Sequence, residues 1–283
     1  MAPEALPAKT HAELFQYFHD LEVAAEARRA RRTRRINFVG RVLLVAGALG
    51  GWWLMAAFYP PVLVPSPGAT WRAFLAEIDT IWKNTPPTML EIALGFLAGS
   101  ALGIGLGGLI AQSRWAEVIV TPYLVVSQAV PKVALAPILI IFLGYGMGSK
   151  VAMAALIAFF PLLENTITGL RRADPDSLRL FQALGASPWQ IFTKLRVFSA
   201  LPLVFAGLRI AAVLATLGAI VGEFVAGNRG LGALLVISMG TFSTPLLYCT
   251  MIVLTALALG VYVLAQWLER KALERCNLAG PGI

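Results

Sequence analysis

The sequence predicts an all-α polytopic membrane protein, with six transmembrane helices and a cytoplasmic helix-turn-helix loop. Three observations point there. Hydrophobic residues make up 58% of the 283 positions and charged residues 13%, roughly half the charge that is usual for a soluble domain. The apolar residues collect in blocks of about 20, the length that crosses a bilayer as helix. The Lys and Arg residues crowd onto alternate connections between those blocks, which is the signature of a fixed orientation.

The blocks fall at about 38–59, 88–111, 117–143, 150–170, 198–225 and 243–267. The third carries Pro131 and Pro137, which predicts a kinked helix or a helix pair, because proline removes a backbone donor. In the connection 60–87, Pro60-Pro61, Pro65-Ser66-Pro67 and Pro86-Pro87 punctuate a short helix expected near 69–82 and started by Ser66-Pro67. With the N-terminus inside the cell, seventeen Lys and Arg face the cytoplasm. Only Arg72, Lys83, Lys150 and Arg229 lie outside. That asymmetry places both termini on the cytoplasmic side of the membrane.

Three regions follow. Residues 1–37 form a cytoplasmic arm, residues 38–270 hold the six spans, and 271–283 form a cytoplasmic tail. In the arm, Leu14, Phe18, Leu21 and Ala25 share one helical face, which suits an interfacial helix or packing on the protein itself. Arg28, Arg29, Arg31, Arg32, Arg34 and Arg35 follow, just before the first apolar block. Their position marks the cytoplasmic side and anionic headgroups rather than nucleic acid, since no aromatic residues interleave them. Cys249 and Cys276 lie in an apolar block and in the charged tail, so neither a mutual disulfide nor a metal site is predicted.

Two strings imitate nucleotide-binding motifs. Gly103-Ile-Gly105-Leu-Gly107-Gly108 lacks the strand before it that a dinucleotide fold requires. Gly95, Gly99, Gly103 and Gly107, spaced four apart, instead predict a smooth helix face on which another helix lies close. Gly144 to Val151 resembles a phosphate-binding loop, but Ser149 and Val151 replace the glycine and the hydroxyl that such a loop needs. His11 and His19 both lie in the arm, and no catalytic constellation is visible. No catalytic residue or cofactor is therefore assigned to this chain.

The loop 174–195 has its own punctuation. Asp174 or Asp176 caps a helix whose first turn takes Pro175, Gly185 ends it, and Ser187-Pro188 starts a second. Leu178, Phe181 and Leu184, then Ile191, Phe192 and Leu195, supply apolar faces that suit the protein's own helix ends or a groove on a partner.

The run Leu184-Gly185-Ala186-Ser187-Pro188-Trp189-Gln190-Ile191-Phe192, followed by Ala200-Leu201-Pro202 and Ala206-Gly207-Leu208-Arg209, resembles the cytoplasmic loop of binding-protein-dependent ABC importer permeases. The variant is similar to the taurine, aliphatic-sulfonate and nitrate branch, which implies a place in the cell (inner) membrane. Leu63 to Pro67, Val130 to Pro137 with Leu143 to Gly146, and Gly222 to Gly232 agree with that family in order, so the resemblance spans about 40–270. Arg179, Leu180 and Phe181 stand where the family's Glu-Ala-Ala usually stands, and Val197-Phe198 replaces a usual Leu-Pro.

The resemblance implies an importer permease that pairs with a second copy of itself, two cytoplasmic ATPase subunits and an extracytoplasmic substrate-binding protein. ATP and magnesium would bind the ATPases. Leu184, Gly185, Ala186, Ser187, Pro188, Trp189 and Phe192 would couple those ATPases to the spans. The cargo implied is a small, anionic nutrient such as a sulfonate, taurine or nitrate, with a pyrimidine precursor or another small nutrient as the alternative. A stand-alone secondary transporter would show paired broken helices and an internal repeat, and only the third span is visibly broken.

Polar groups inside the spans are candidates for the path. Lys132, between the prolines, attracts an anion or turns to a carbonyl that those prolines free. Gln128 and Thr216 are further path candidates, as is Ser127. Glu223 suits an outer gate or the binding-protein face, and Glu164 and Arg209 are expected to pair across the fourth and fifth spans.

Overall fold

The computed structural model describes residues 39–276, and these separate into two units at Pro67–Gly68. The interfacial helix and arginine cluster of the arm, and the tail after Cys276, lie outside the described residues. In the first unit, helix α1 (Val39–Phe58) is apolar and 20 residues long, enough to cross a bilayer. Pro60 then closes a tight turn, its carbonyl accepting from the amides of Leu63 (2.8 Å) and Val64 (3.0 Å). The Trp52 indole donates to Pro65 O at 3.0 Å, folding the turn back on the helix.

In the second unit the helices are α2 (Pro67–Ala76), α3 (Ile78–Gln112), α4 (Arg114–Ala129), α5 (Ala136–Leu143), α6 (Met147–Arg171), α7 (Pro175–Ala183), α8 (Pro188–Ile191), α9 (Val197–Ala226), α10 (Leu231–Gly240) and α11 (Thr244–Arg275). Five of the described helices are long and apolar enough to cross a membrane: α1, α3, α6, the continuous run Pro188–Ala226, and α11. The third apolar block is a broken pair of shorter helices. Helix α4 stops at Val130-Pro131, a 3-10 turn covers Lys132–Leu135, and α5 restarts at Ala136. The prolines resolve the kink-or-pair alternative in favour of the pair.

The helix boundaries differ from the sequence reading at three points. Pro86-Pro87 do not end a helix; both lie inside α3, which begins at Ile78. The missing donors free only the Trp82 and Lys83 carbonyls, near the helix end where water can reach them. Helix α11 continues to Arg275, so residues 271–275 of the expected tail are helical. Helix α10 was not expected at all, because its ten residues are too few to register as a span.

Helix α6 is the spine, packed along α3 on one side and α9 on the other. The α3 seam is the predicted glycine face. A Cβ at Gly99 would lie 2.6 Å from the Ala155 carbonyl oxygen, and one at Gly103 or Gly107 only 2.8 Å from Leu162 Cβ or Thr166 Cβ. On the α9 seam, Gly218 rests on the Ala154 backbone and Gly222 on that of Lys150. Helices without a hydrophobic driving force between them gain from such close van der Waals contact. Ile92, Ala154, Ala158, Leu162, Ala211, Ala215 and Ala219 fill the centre between these seams.

Candidate functional site

Where the third span breaks, α6 and α9 enclose a cavity of about 530 Å³ with the segment after α4. Val130, Lys132, Val133, Ile157, Phe160, Glu164, Asn165 and Leu214 are among its walls. The break exists because Pro131 has no amide donor and the chain leaves α-geometry there, with Val130 extended at ψ 125°. Lys132 opens the 3-10 turn, and its ammonium sits 5.0 Å from the centre of the Phe160 ring, a cation–π contact. Sequence reasoning did not anticipate this aromatic partner. The Asn165 amide donates to Pro161 O at 2.8 Å, covering the carbonyl beside the α6 proline. An ammonium, an aromatic face, an amide and the Glu164 carboxyl thus line one cavity.

The other candidates are placed differently. The side chain of Gln128 lies outside the described ones, and the Ser127 hydroxyl is turned back onto Leu124 O at 2.7 Å. Thr216 is buried, its hydroxyl on Ala212 O of its own helix at 3.1 Å. Glu164 lines the cavity, whereas Arg209 pairs with Glu269 of α11 at 3.1 Å instead of with Glu164. The helical turn explains the change: Ile210, Leu214 and Leu217 are the α9 residues on the cavity, so neighbouring Arg209 points toward α11. Sequence spacing gave no sign of Glu269, which stands just past the last apolar block.

Glu223 is not on a wall; it is wholly buried. The Thr88 hydroxyl donates to its Oε1 at 2.6 Å and the Gly232 amide to its Oε2. Next to it, Lys150 donates to Glu91 Oε1 and to Arg229 O, both at 2.9 Å. Lys150 was expected in an outer connection. It stands in the first turn of α6 with 4% of its surface exposed, because Gly146 starts that helix earlier than the apolar block suggests.

The loop follows its punctuation closely. Asp174 caps α7, its Oδ2 accepting from the Ser177 amide (2.9 Å) and hydroxyl (2.7 Å). Gly185 adopts φ 71°, and the Ala186 amide returns to Phe181 O at 3.0 Å, a glycine-terminated helix end. Ser187 and Gln190 form a reciprocal capping box around the start of α8. A π turn at Phe192–Arg196 joins α8 to α9 without a gap. Leu184 and Trp189 stand 75% and 68% exposed, while Phe192 packs onto Ala111, Leu170 and Ala200. The loop is therefore an exposed apolar knob on a buried foot.

The hydrogen bonds from Ser177, side chain first, hold the Asp174 carboxyl below its ordinary value of 3.8. Their contribution to α7 is complete above that value and is lost as pH falls through the lower folded one. Hydrogen-exchange protection at Ser177 should therefore drop in that acid window, and Asp174→Ala should show the low protection already at pH 7.

Residues 99–274 match the family model described as binding-protein-dependent transport system inner membrane component. The riboflavin transport system permease RibX of Chloroflexus aurantiacus is 40% identical, over 75% of this chain and 80% of that protein. The formylaminopyrimidine transport permease ThiX of Halalkalibacterium halodurans is 36% identical, over 74% and 84%. The taurine transport permease TauC of Escherichia coli is 28% identical, over 79% and 83%. Among solved structures, a chain of the inward-facing MetNI methionine ABC transporter superposes with a TM-score of 0.61 at 16% identity, covering 69% of this chain and 97% of that one. The likeness to MetNI extends to the fold, and the sequence matches carry the family: this chain is a member of the binding-protein-dependent transport system inner membrane components, the integral-membrane permeases of ABC importers for small nutrients.

Proposed function

We propose that two copies of this chain form the path of an importer driven by two ATPase subunits docked on the α7–α8 loop. A binding protein delivers cargo from the opposite side, and both termini face the cytoplasm. The observation that carries this reading is the loop itself, since Leu184 and Trp189 present apolar surface on short capped helices that continue into α9. Exposed apolar side chains on a stiff support suit a groove on a partner. The missing Glu-Ala-Ala glutamate shifts the contact onto Leu184, Gly185, Ala186, Ser187, Pro188 and Trp189. ATP and magnesium belong to the partner, so this chain acts as a permease and performs no hydrolysis.

Gly185→Val tests the coupling. A β-branched residue at φ 71° is strained, so the helix end should rearrange and co-purification with the ATPase should fall about tenfold, the equivalent of roughly 1.4 kcal/mol. Undiminished association together with full uptake would sink the lever.

For cargo, a planar nitrogen heterocycle is the better reading. The relatives named for riboflavin and formylaminopyrimidine are 40% and 36% identical, against 28% for the taurine permease. The Phe160 ring and Asn165 amide beside Lys132 suit such a solute, and the same ammonium supports the second reading, a small sulfonate or nitrate. Competition between labelled riboflavin and taurine in vesicles holding the assembled transporter separates the two.

A further inference from the structure

We infer that Glu223 is a positioning residue: it is the polar link through which α9 is tied to the cap formed by α3, α10 and α11 at the end of the bundle opposite the loop. The cap is an apolar unit in its own right. Ile81 of α3, Leu231, Leu234 and Leu235 of α10, and Cys249 and Leu254 of α11 are buried together. Two of the polar bonds of its turn lead to the α9 carboxylate, one directly and one through Thr88, while Gly230 N–H and Arg229 O are held by Asn84 and Lys150. Three successive amides open α10, and a helix start has no partners of its own for them. Gly230 N–H goes to Asn84 Oδ1 at 2.9 Å, Leu231 N–H to Thr88 Oγ1 at 2.8 Å, and Gly232 N–H to Glu223 Oε2. Thr88 completes the set by donating to Glu223 Oε1.

The turn is shaped around that carboxylate. Gly230 stands at φ 114°, and any Cβ there would collide with the Glu223 carboxyl. A Cβ at Gly232 would also meet it, at 2.7 Å. Helix α9 brings the link to the other side of the membrane. It belongs to an unbroken 39-residue run from Pro188, about 58 Å at the α-helical rise. Along α6 it offers the glycines Gly218 and Gly222, a seam with few side-chain knobs to resist sliding. A displacement of the loop therefore travels along α9 and reaches the cap through Glu223, in addition to the Ile220 contact and the chain turn between α9 and α10. A link made of hydrogen bonds suits that task, because its bonds exchange for water bonds at small net cost when the site opens, yet are expensive to lose while it stays buried. The direction of the motion rests on the driven-permease reading; the link itself does not.

Spin labels on the full-length chain in lipid nanodiscs test the link without ATPase or cargo. Cys276 is replaced by Ser, and buried Cys249 is kept. One label pair joins α9 to the cap (Leu217→Cys and Met239→Cys); a control pair lies within the cap (Trp82→Cys and Met239→Cys), all at exposed positions. In Thr88→Val the α9–cap distribution should gain a second population, at least about tenfold above its native level, from the loss of the two buried hydrogen bonds that join Thr88 to Leu231 and to Glu223. The within-cap pair should stay sharp, and Thr88→Ser should restore the native distribution. Glu223→Ala should reproduce Thr88→Val. Unchanged α9–cap distances in both variants would overturn the inference. So would equal broadening of both pairs, or loss of the fold in Thr88→Val, since the link leaves the apolar cap intact. Failure here leaves the importer reading standing; success with no ATPase binding to the loop would remove only the latter.

Discussion

Lys150→Met should destabilise the folded chain by about 3 kcal/mol, the cost of removing one partner from a buried ion pair. Glu91 and Lys150 are 1% and 4% exposed, and their atoms meet at 2.9 Å. Without the ammonium, Glu91 loses its Oε1 partner. Arg229 O loses its donor as well, so the α9–α10 turn loosens with the pair. The matched double variant Lys150→Met with Glu91→Leu should recover most of the loss, because a well-packed apolar pair often replaces a buried ionic one at little cost. Thermal unfolding in detergent micelles, followed by circular dichroism, measures both. Equal stability of the single and double variants would show that the unpaired Glu91 carboxylate is not the source of the loss.

Gly218→Val should be nearly as severe, for a different reason. A Cβ at that position would lie 2.6 Å from the Ala154 Cα and 2.9 Å from Met153 O, and both are backbone atoms that cannot rotate away. Helices α6 and α9 must separate, and overpacking of this kind costs about 1–3 kcal/mol or more. Gly105→Ala is the internal contrast. It is equally helical, but nothing lies within 4 Å of its added methyl, so it should gain about 0.5–1 kcal/mol from helix propensity. The same unfolding measurement ranks the two, and equal effects would refute the assignment of faces.

The difference between these glycines marks how far the site was legible beforehand. Spacing by four singled out Gly95, Gly99, Gly103 and Gly107 and left Gly105 aside, because period alone decides which residues share a helix face. The punctuation of the loop was equally readable: Asp174, Pro175, Gly185 and Ser187-Pro188 act on their own backbone within a turn or two. The path residues were far less so. Thr216 and Glu223 are as polar as Lys132, but whether a span residue faces a cavity or a neighbour depends on which helix stands opposite. Arg209 turned to Glu269 for that reason.

What the sequence determined by itself is therefore local or cumulative: the spans, the broken third block, the glycine face and the capped loop. Each follows from hydropathy, helical period or the conformational limits of proline and glycine. The tertiary structure alone decided the partners: Lys150 with Glu91, Glu223 with Thr88 and the start of α10, and Lys132 over Phe160. Those pairings join residues 59, 135 and 28 positions apart. In a low-dielectric interior each polar group takes whichever partner the packed helices bring to it, and that choice is set by the glycine seams and helix rotations rather than by the residue's own neighbours in the chain.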